Sequence, residues 1–103
     1  MINMTLVLLI AELVAQTPYD TLKYNCWDYA TDLQAQLREQ NISSRIMTGV
    51  YGSTSAHTWL KVGSEWIEAT SGQLIEDRSE YDFGYYSPPK GNPRKARWKA
   101  DNA

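Results

Sequence analysis

The sequence predicts an α+β domain with two N-terminal helices packed on a small antiparallel sheet. Apolar residues recur at helical spacing through the first forty positions. From residue 44 onward, β-branched and aromatic runs alternate with short Gly and Ser turns. The two kinds of pattern are segregated along the chain, which argues against alternating strand–helix–strand units.

The first helix is expected over 4–16, with Leu6, Leu9, Ile10, Leu13 and Val14 forming its apolar face and Thr17-Pro18-Tyr19-Asp20 ending it. The second is expected over 25–40. Asn25 is a strong N-cap, and Cys26, Tyr29, Ala30, Leu33 and Leu37 fall at i, i+3, i+4, i+7 and i+11. Asp28 and Asp32 then fall on a solvated face, and Gln40-Asn41 closes the helix. Strands follow at 44–51, 56–62 and 65–70, joined by the loop 52–55 and the tight turn Gly63-Ser64, with Ser71-Gly72 breaking the last. Beyond Ile75 the pattern weakens. Tyr81–Tyr86 has the composition of a short strand, and Pro88–Pro93 that of an extended segment.

At 103 residues, with 43% hydrophobic and 12% aromatic composition, the chain fits one domain, placed at 1–89. A domain of this size buries only about two-thirds of its unfolded surface, which is compatible with a homo-oligomer. The charge is uneven. Residues 1–89 carry 5 Lys/Arg against 11 Asp/Glu, and residues 90–103 carry 5 Lys/Arg against 1 Asp. The basic end is expected to be a flexible tail. An acidic body repels phosphate, so nucleic acid is not the expected partner. The run Leu6–Ile10 is too short to span a membrane and is interrupted by Glu12, so a helix of the domain is preferred there to a leader or anchor.

There is one cysteine, Cys26, and one histidine, His57. A single cysteine rules out an internal disulfide and is compatible with a reducing cytoplasm, which is the compartment favoured. One Cys and one His supply two ligands where a structural zinc site needs four, so no metal or other cofactor is expected. A thiol, an imidazole and a carboxylate together can form a nucleophile with its base and orienter. Cys26 falls in the first turn of its helix, where unpaired N–H groups and the helix dipole favour a thiolate. A small buried hydrophobe is the alternative there. His57 opens a strand and can take the thiol proton.

Glu68 depends on register. If Gly63-Ser64 is a two-residue turn, Val62 faces Glu65 and His57 faces Thr70. Glu68 then shares the His57 face on the diagonal, roughly 7–8 Å away at Cα. A three-residue loop would send Glu68 to the opposite face.

The tracts Asn25-Cys26-Trp27-Asp28-Tyr29-Ala30, Ile42–Gly49, Ala56-His57-Thr58-Trp59-Leu60-Lys61-Val62 and Glu65-Trp66-Ile67-Glu68-Ala69-Thr70 resemble, in order and spacing, the transglutaminase-like branch of the papain-like cysteine hydrolases. The resemblance covers roughly half the chain. It implies a minimal papain-like core and a Cys26–His57–Glu68 triad acting on a peptide or protein substrate by thiol acyl transfer, with hydrolysis favoured over cross-linking. Glu68 stands where the family usually has Asp.

Tyr19, Tyr24 and Asn25 are the candidates for an oxyanion or supporting role. Trp27, Trp59 and the loop Ser53-Thr54-Ser55 are candidates for a substrate groove, with core filling as the alternative for the tryptophans. Arg45 reads as a structural strand residue. A binding module that kept the fold without the chemistry stays open as an alternative. So does an interaction partner presenting its first helix and the Tyr81–Tyr86 segment.

Overall fold

A computed structural model describes residues 2–52 and 55–86. Two helices, α1 (Met4–Ala15) and α2 (Cys26–Glu39), precede five strands: β1 (Arg45–Tyr51), β2 (Ser55–Val62), β3 (Glu65–Glu68), β4 (Gln73–Ile75) and β5 (Tyr81–Tyr86). All the pairings are antiparallel, in the order β4-β3-β2-β1-β5. The α+β architecture expected from the sequence is therefore the observed one. The segment 65–70 is a strand only to Glu68. Strand β4 is an addition to the expected elements, because three residues are too few to show a period. The basic segment 90–103 lies outside the described residues.

The Gly63-Ser64 turn is a two-residue connection with Gly63 at φ +61°. Val62 pairs with Glu65, Lys61 with Trp66 and Leu60 with Ile67. This is the register that puts His57 and Glu68 on one face, and alternation then divides the sheet. Ile46, Leu60, Val62 and Ile67 point toward the helices and share a core with Val7, Ala11, Ala30, Leu33 and Leu37. Met47, Trp59, Trp66 and Ile75 cluster on the opposite face, with Tyr81 against them. Arg78 closes this second cluster: its guanidinium lies 4.3 Å from the centre of the Trp66 ring, and its Nη2 donates to the Ser64 carbonyl at 2.5 Å.

The inward face of α1 differs from the one its sequence points to. Val7, Ala11 and Val14 are the buried residues, whereas Leu9 and Leu13 are more than half exposed. A helix that is apolar almost all round carries no periodic instruction about which side turns inward, so a close contact decides. Ala11 packs against Gly72, where an added Cβ would stand 2.8 Å from the Ala11 carbonyl oxygen. The atoms in the way are α1 backbone, so only a glycine at 72 allows that approach.

The ends of α2 are each satisfied locally. Asn25 accepts from the Trp27 N–H at 3.1 Å, and Asp28 returns the bond to the Asn25 N–H at 2.9 Å, completing a capping box. At the other end Asn41 adopts φ +60°. The Asn41 and Ile42 N–H groups bond back to Arg38 and Leu37, each at 2.9 Å, a Schellman closure.

Gly72 also sits at φ +74°. Gly72→Ala combines a left-handed backbone with a clash against α1, and is expected to cost about 2 kcal/mol or more. A denaturant melt at neutral pH checks this, and an unchanged midpoint would contradict the packing described for α1.

Candidate active site

The thiol is delivered by the turn that precedes α2. Asp20 and Tyr24 bridge through paired backbone bonds of 2.8 Å, and the Asp20 carboxylate accepts from the Leu22 and Lys23 N–H groups. Tyr29, on α2, donates its hydroxyl to the Thr17 carbonyl at the end of α1. The start of α2 is thus fixed in place, and Cys26 is its first residue. The capping box uses the Trp27 and Asp28 N–H groups, and Tyr29 bonds to the Asn25 carbonyl. The Cys26 N–H is the first-turn donor that neither the cap nor the helix ladder uses.

Pairing of β2 with β3 covers only Leu60–Val62. The earlier half of β2 has β1 on one side and no β3 residue on the other, and the start of α2 meets the strand there. The Cys26 thiol lies within hydrogen-bonding reach of His57 and Thr58, which together lower its ionisation. Successive strand residues point to opposite faces. The thiol is therefore in reach of two residues whose side chains leave β2 on opposite faces.

His57 Nε2 is 2.8 Å from Glu68 Oε2, and the two side chains are 19% and 16% exposed. With Nε2 committed to the carboxylate, Nδ1 is the ring nitrogen left for the sulfur. Glu68 is held at both oxygens. Thr70 Oγ1 donates to Oε1 at 3.1 Å, and the Tyr81 hydroxyl donates to Oε2 at 2.8 Å.

The electrostatics follow from this chain of contacts. Burial alone would push the Cys26 thiol up. The hydrogen bond and charge of His57, aided by Thr58, outweigh it and bring the thiol below its ordinary value. Burial disfavours the imidazolium in the same way, but bonding to Cys26 and Glu68 raises His57 to about 9. Glu68 is held below the usual carboxylate range despite its burial, by His57 first and then by Tyr81 and Thr70. The arrangement favours a thiolate–imidazolium pair backed by a carboxylate, and the two ionisations belong to the pair jointly.

Cys26, His57 and Glu68 thus come together in space. The other candidates are placed elsewhere. Asn25 is engaged in the cap: its side-chain oxygen accepts from Trp27, and its Nδ2 donates to the Thr21 carbonyl at 3.3 Å. Tyr24 gives its hydroxyl to Asp32 at 2.6 Å, and burial plus that carboxylate raise its ionisation far above the ordinary value. Tyr19 is exposed and stacks on Tyr29 at 6.0 Å. The expected solvated face of α2 needs correcting, because Asp28 caps the helix and Asp32 holds Tyr24.

Trp27 is buried in the helix-side core, and Trp59 is fully buried in the opposite cluster. Core filling replaces the expected groove wall for Trp59, whose ring has no exposed surface, and Trp27 keeps only 8% of its own. Ser53 and Thr54 lie outside the described residues, and Ser55 opens β2 opposite Tyr51. Thr58 and Tyr81 join the site without having been expected there. Thr58 has a signal in the sequence, being adjacent to His57. Tyr81 has none, because its contact with Glu68 depends on the shape of the whole sheet.

Among the described residues no group of three or more His, Cys, Asp or Glu side chains is placed to hold a metal ion. No described helix is long and apolar enough to cross a membrane. In comparison with known proteins, the chain matches no family model, no curated protein and no solved structure.

With a single cysteine in the chain, alkylation reports Cys26 alone. Its rate with iodoacetamide is expected to stay high well below the pH at which ordinary thiols lose reactivity, and His57→Ala should restore ordinary thiol behaviour. An identical pH profile in the two proteins would refute the pairing.

Stability should follow the same groups. His57 is raised, so its contribution is full below its ordinary value and is lost as pH climbs through about 9. Glu68 is lowered, so its contribution is present above the ordinary carboxylate value and is lost as pH falls through its own depressed one. Thermal melts from pH 4 to 10 should show the alkaline loss in the wild type and a smaller one in Glu68→Gln.

Proposed function

We propose that this protein is a small cysteine hydrolase acting on a peptide or amide bond, a minimal relative of the transglutaminase-like and papain-like hydrolases. The observation that carries the reading is the unbroken chain of contacts from the Cys26 sulfur through the His57 ring to the Glu68 carboxylate. The motif resemblance points the same way. The open edge of β2 at His57 and Thr58 also supports the reading, because it leaves room for a nucleophile held by a helix N-terminus.

In this mechanism the Cys26 thiolate attacks the carbonyl carbon, forming the C–S bond and moving the carbonyl π electrons onto oxygen. The Cys26 N–H and the positive end of α2 face the resulting oxyanion. Imidazolium His57 gives its proton to the leaving amine as the C–N bond breaks, leaving a thioester and a neutral imidazole. That imidazole then takes a proton from water, whose oxygen attacks the thioester. Collapse releases the acid and returns the thiolate and imidazolium. Glu68 stays ionised throughout, holding the ring with Nδ1 toward the sulfur and stabilising its charge.

Cys26→Ala is expected to abolish covalent labelling by an electrophilic acyl probe and all turnover of an amide substrate. His57→Ala should reduce turnover by about 10²-fold or more, and Glu68→Gln by a smaller factor. Mass spectrometry of the probe adduct and steady-state assays over a peptide library check both. Equal labelling of the wild type and His57→Ala would count decisively against a catalytic pair. An active-site thiolate that turns over no amide or ester would favour a binding module instead.

A further inference from the structure

We propose that Tyr81 is a positioning residue of this site, a fourth member of the hydrogen-bonded chain Tyr81–Glu68–His57–Cys26, contributed by the edge strand β5. Its functional meaning rests on the hydrolase reading above, but its test does not.

Topology makes the contact informative. Glu68 ends β3 and Tyr81 begins β5, three steps apart in the order β4-β3-β2-β1-β5. Strands lie about 4.8 Å apart, so in a flat sheet the two backbones would stand roughly 14 Å apart. The hydroxyl nevertheless reaches Glu68 Oε2 at 2.8 Å. The sheet therefore curls across the aromatic face, and the long reach of both side chains closes the remainder. Tyr81 pairs with Tyr51 at the start of β5, and its ring lies 5.0 Å from Trp59, 4.9 Å from Tyr51 and 6.2 Å from His57. It presses on the base and bonds to the acid at once.

Tyr81 and His57 share the same carboxylate oxygen. A donor from a second direction fixes the rotation of that carboxylate and leaves one lone-pair direction aimed at the imidazole. This matters more for Glu than for Asp, because the extra methylene adds a torsion that would otherwise let the acid swing away. Thr70 anchors Oε1, and Tyr81 anchors the oxygen that does the orienting.

Outside this chain of contacts, Tyr51 of β1 packs against the His57 and Tyr81 rings, and Arg78 lies over Trp66, whose ring meets Tyr81. The acids Glu76, Asp77 and Glu80 border a depression of about 340 Å³ beside Glu68 and Tyr81. The neutral hydroxyls of Tyr81 and Thr70 hold Glu68 without adding a countercharge that would compete with His57.

The experiment uses the intact chain, whose lone histidine gives one imidazole signal and whose lone cysteine gives one alkylation rate. Tyr81→Phe keeps the ring packing and removes the donor. It should move the His57 titration seen by NMR to lower pH by about one pH unit, and slow Cys26 alkylation near pH 6 by about tenfold. In a Glu68→Gln background the same substitution should add almost nothing. A purely structural Tyr81 would lower the melting temperature and leave both readouts in place, which would overturn the proposal. Should Tyr81→Phe not fold, ultraviolet titration of Glu68→Gln probes the same contact from the other side. One tyrosine is expected to ionise at lower pH than in the wild type, and no change would overturn the proposal. A protein in which all these ionisations behave as expected but no amide is cleaved would sink the hydrolase reading and leave the role of Tyr81 standing.

Discussion

Burial disfavours the charge on His57 and the charge on Glu68, and the 2.8 Å contact between them makes both tolerable. A buried ion pair is a weak source of net stability when desolvation is counted, but removing one partner leaves an expensive orphan. That asymmetry explains the surroundings. Thr70 and Tyr81 satisfy the remaining capacity of the carboxylate, the Cys26 sulfur takes the other ring nitrogen, and Thr58 supports the sulfur from the strand itself. Take away the pair, and the positions of the thiol, the ring and the Tyr81 hydroxyl lose their common reason.

The scaffold serves that pair in two ways. The capping box and the Asp20–Tyr24 bridge fix the start of α2, so the thiol arrives at one point beside β2. The shortness of the β2–β3 pairing keeps that point open. A longer β3 would have filled the edge with backbone hydrogen bonds and left no place for a sulfur beside His57. Elsewhere the same strands are fully committed, with one face in the helix-side core and the other in the aromatic cluster. The site occupies the part of the sheet that regular pairing leaves unfinished.

The length of the Glu68 side chain has a structural counterpart. A longer carboxylate arm needs more restraint to hold a ring in one orientation, and here two hydroxyls supply it. The curl that brings β5 toward β3 is what makes the second restraint available. In this way a small domain draws a contact to Glu68 from its outermost strand.

Much of this is written locally. The 3.6-residue period and the Asn25 cap define α2 and put Cys26 in its first turn. The Gly63-Ser64 turn and the alternation of β2 and β3 narrow Glu68 to one of two faces, and the observed two-residue connection selects the face it shares with His57. Other features were decided by tertiary structure. The buried side of α1 was not legible, since a helix apolar all round becomes oriented only when Ala11 meets Gly72. Trp27 and Trp59 suit a groove or a core equally well until packing buries them. Tyr81 could not be assigned to the site from its neighbours in sequence, because the bond to Glu68 joins strands that are not adjacent and exists only once the whole sheet has curled. Local hydrogen bonding and side-chain period fixed which residues each element presents. The closeness of elements distant in the chain fixed which of them meet, because that depends on long-range packing that no short window of sequence contains.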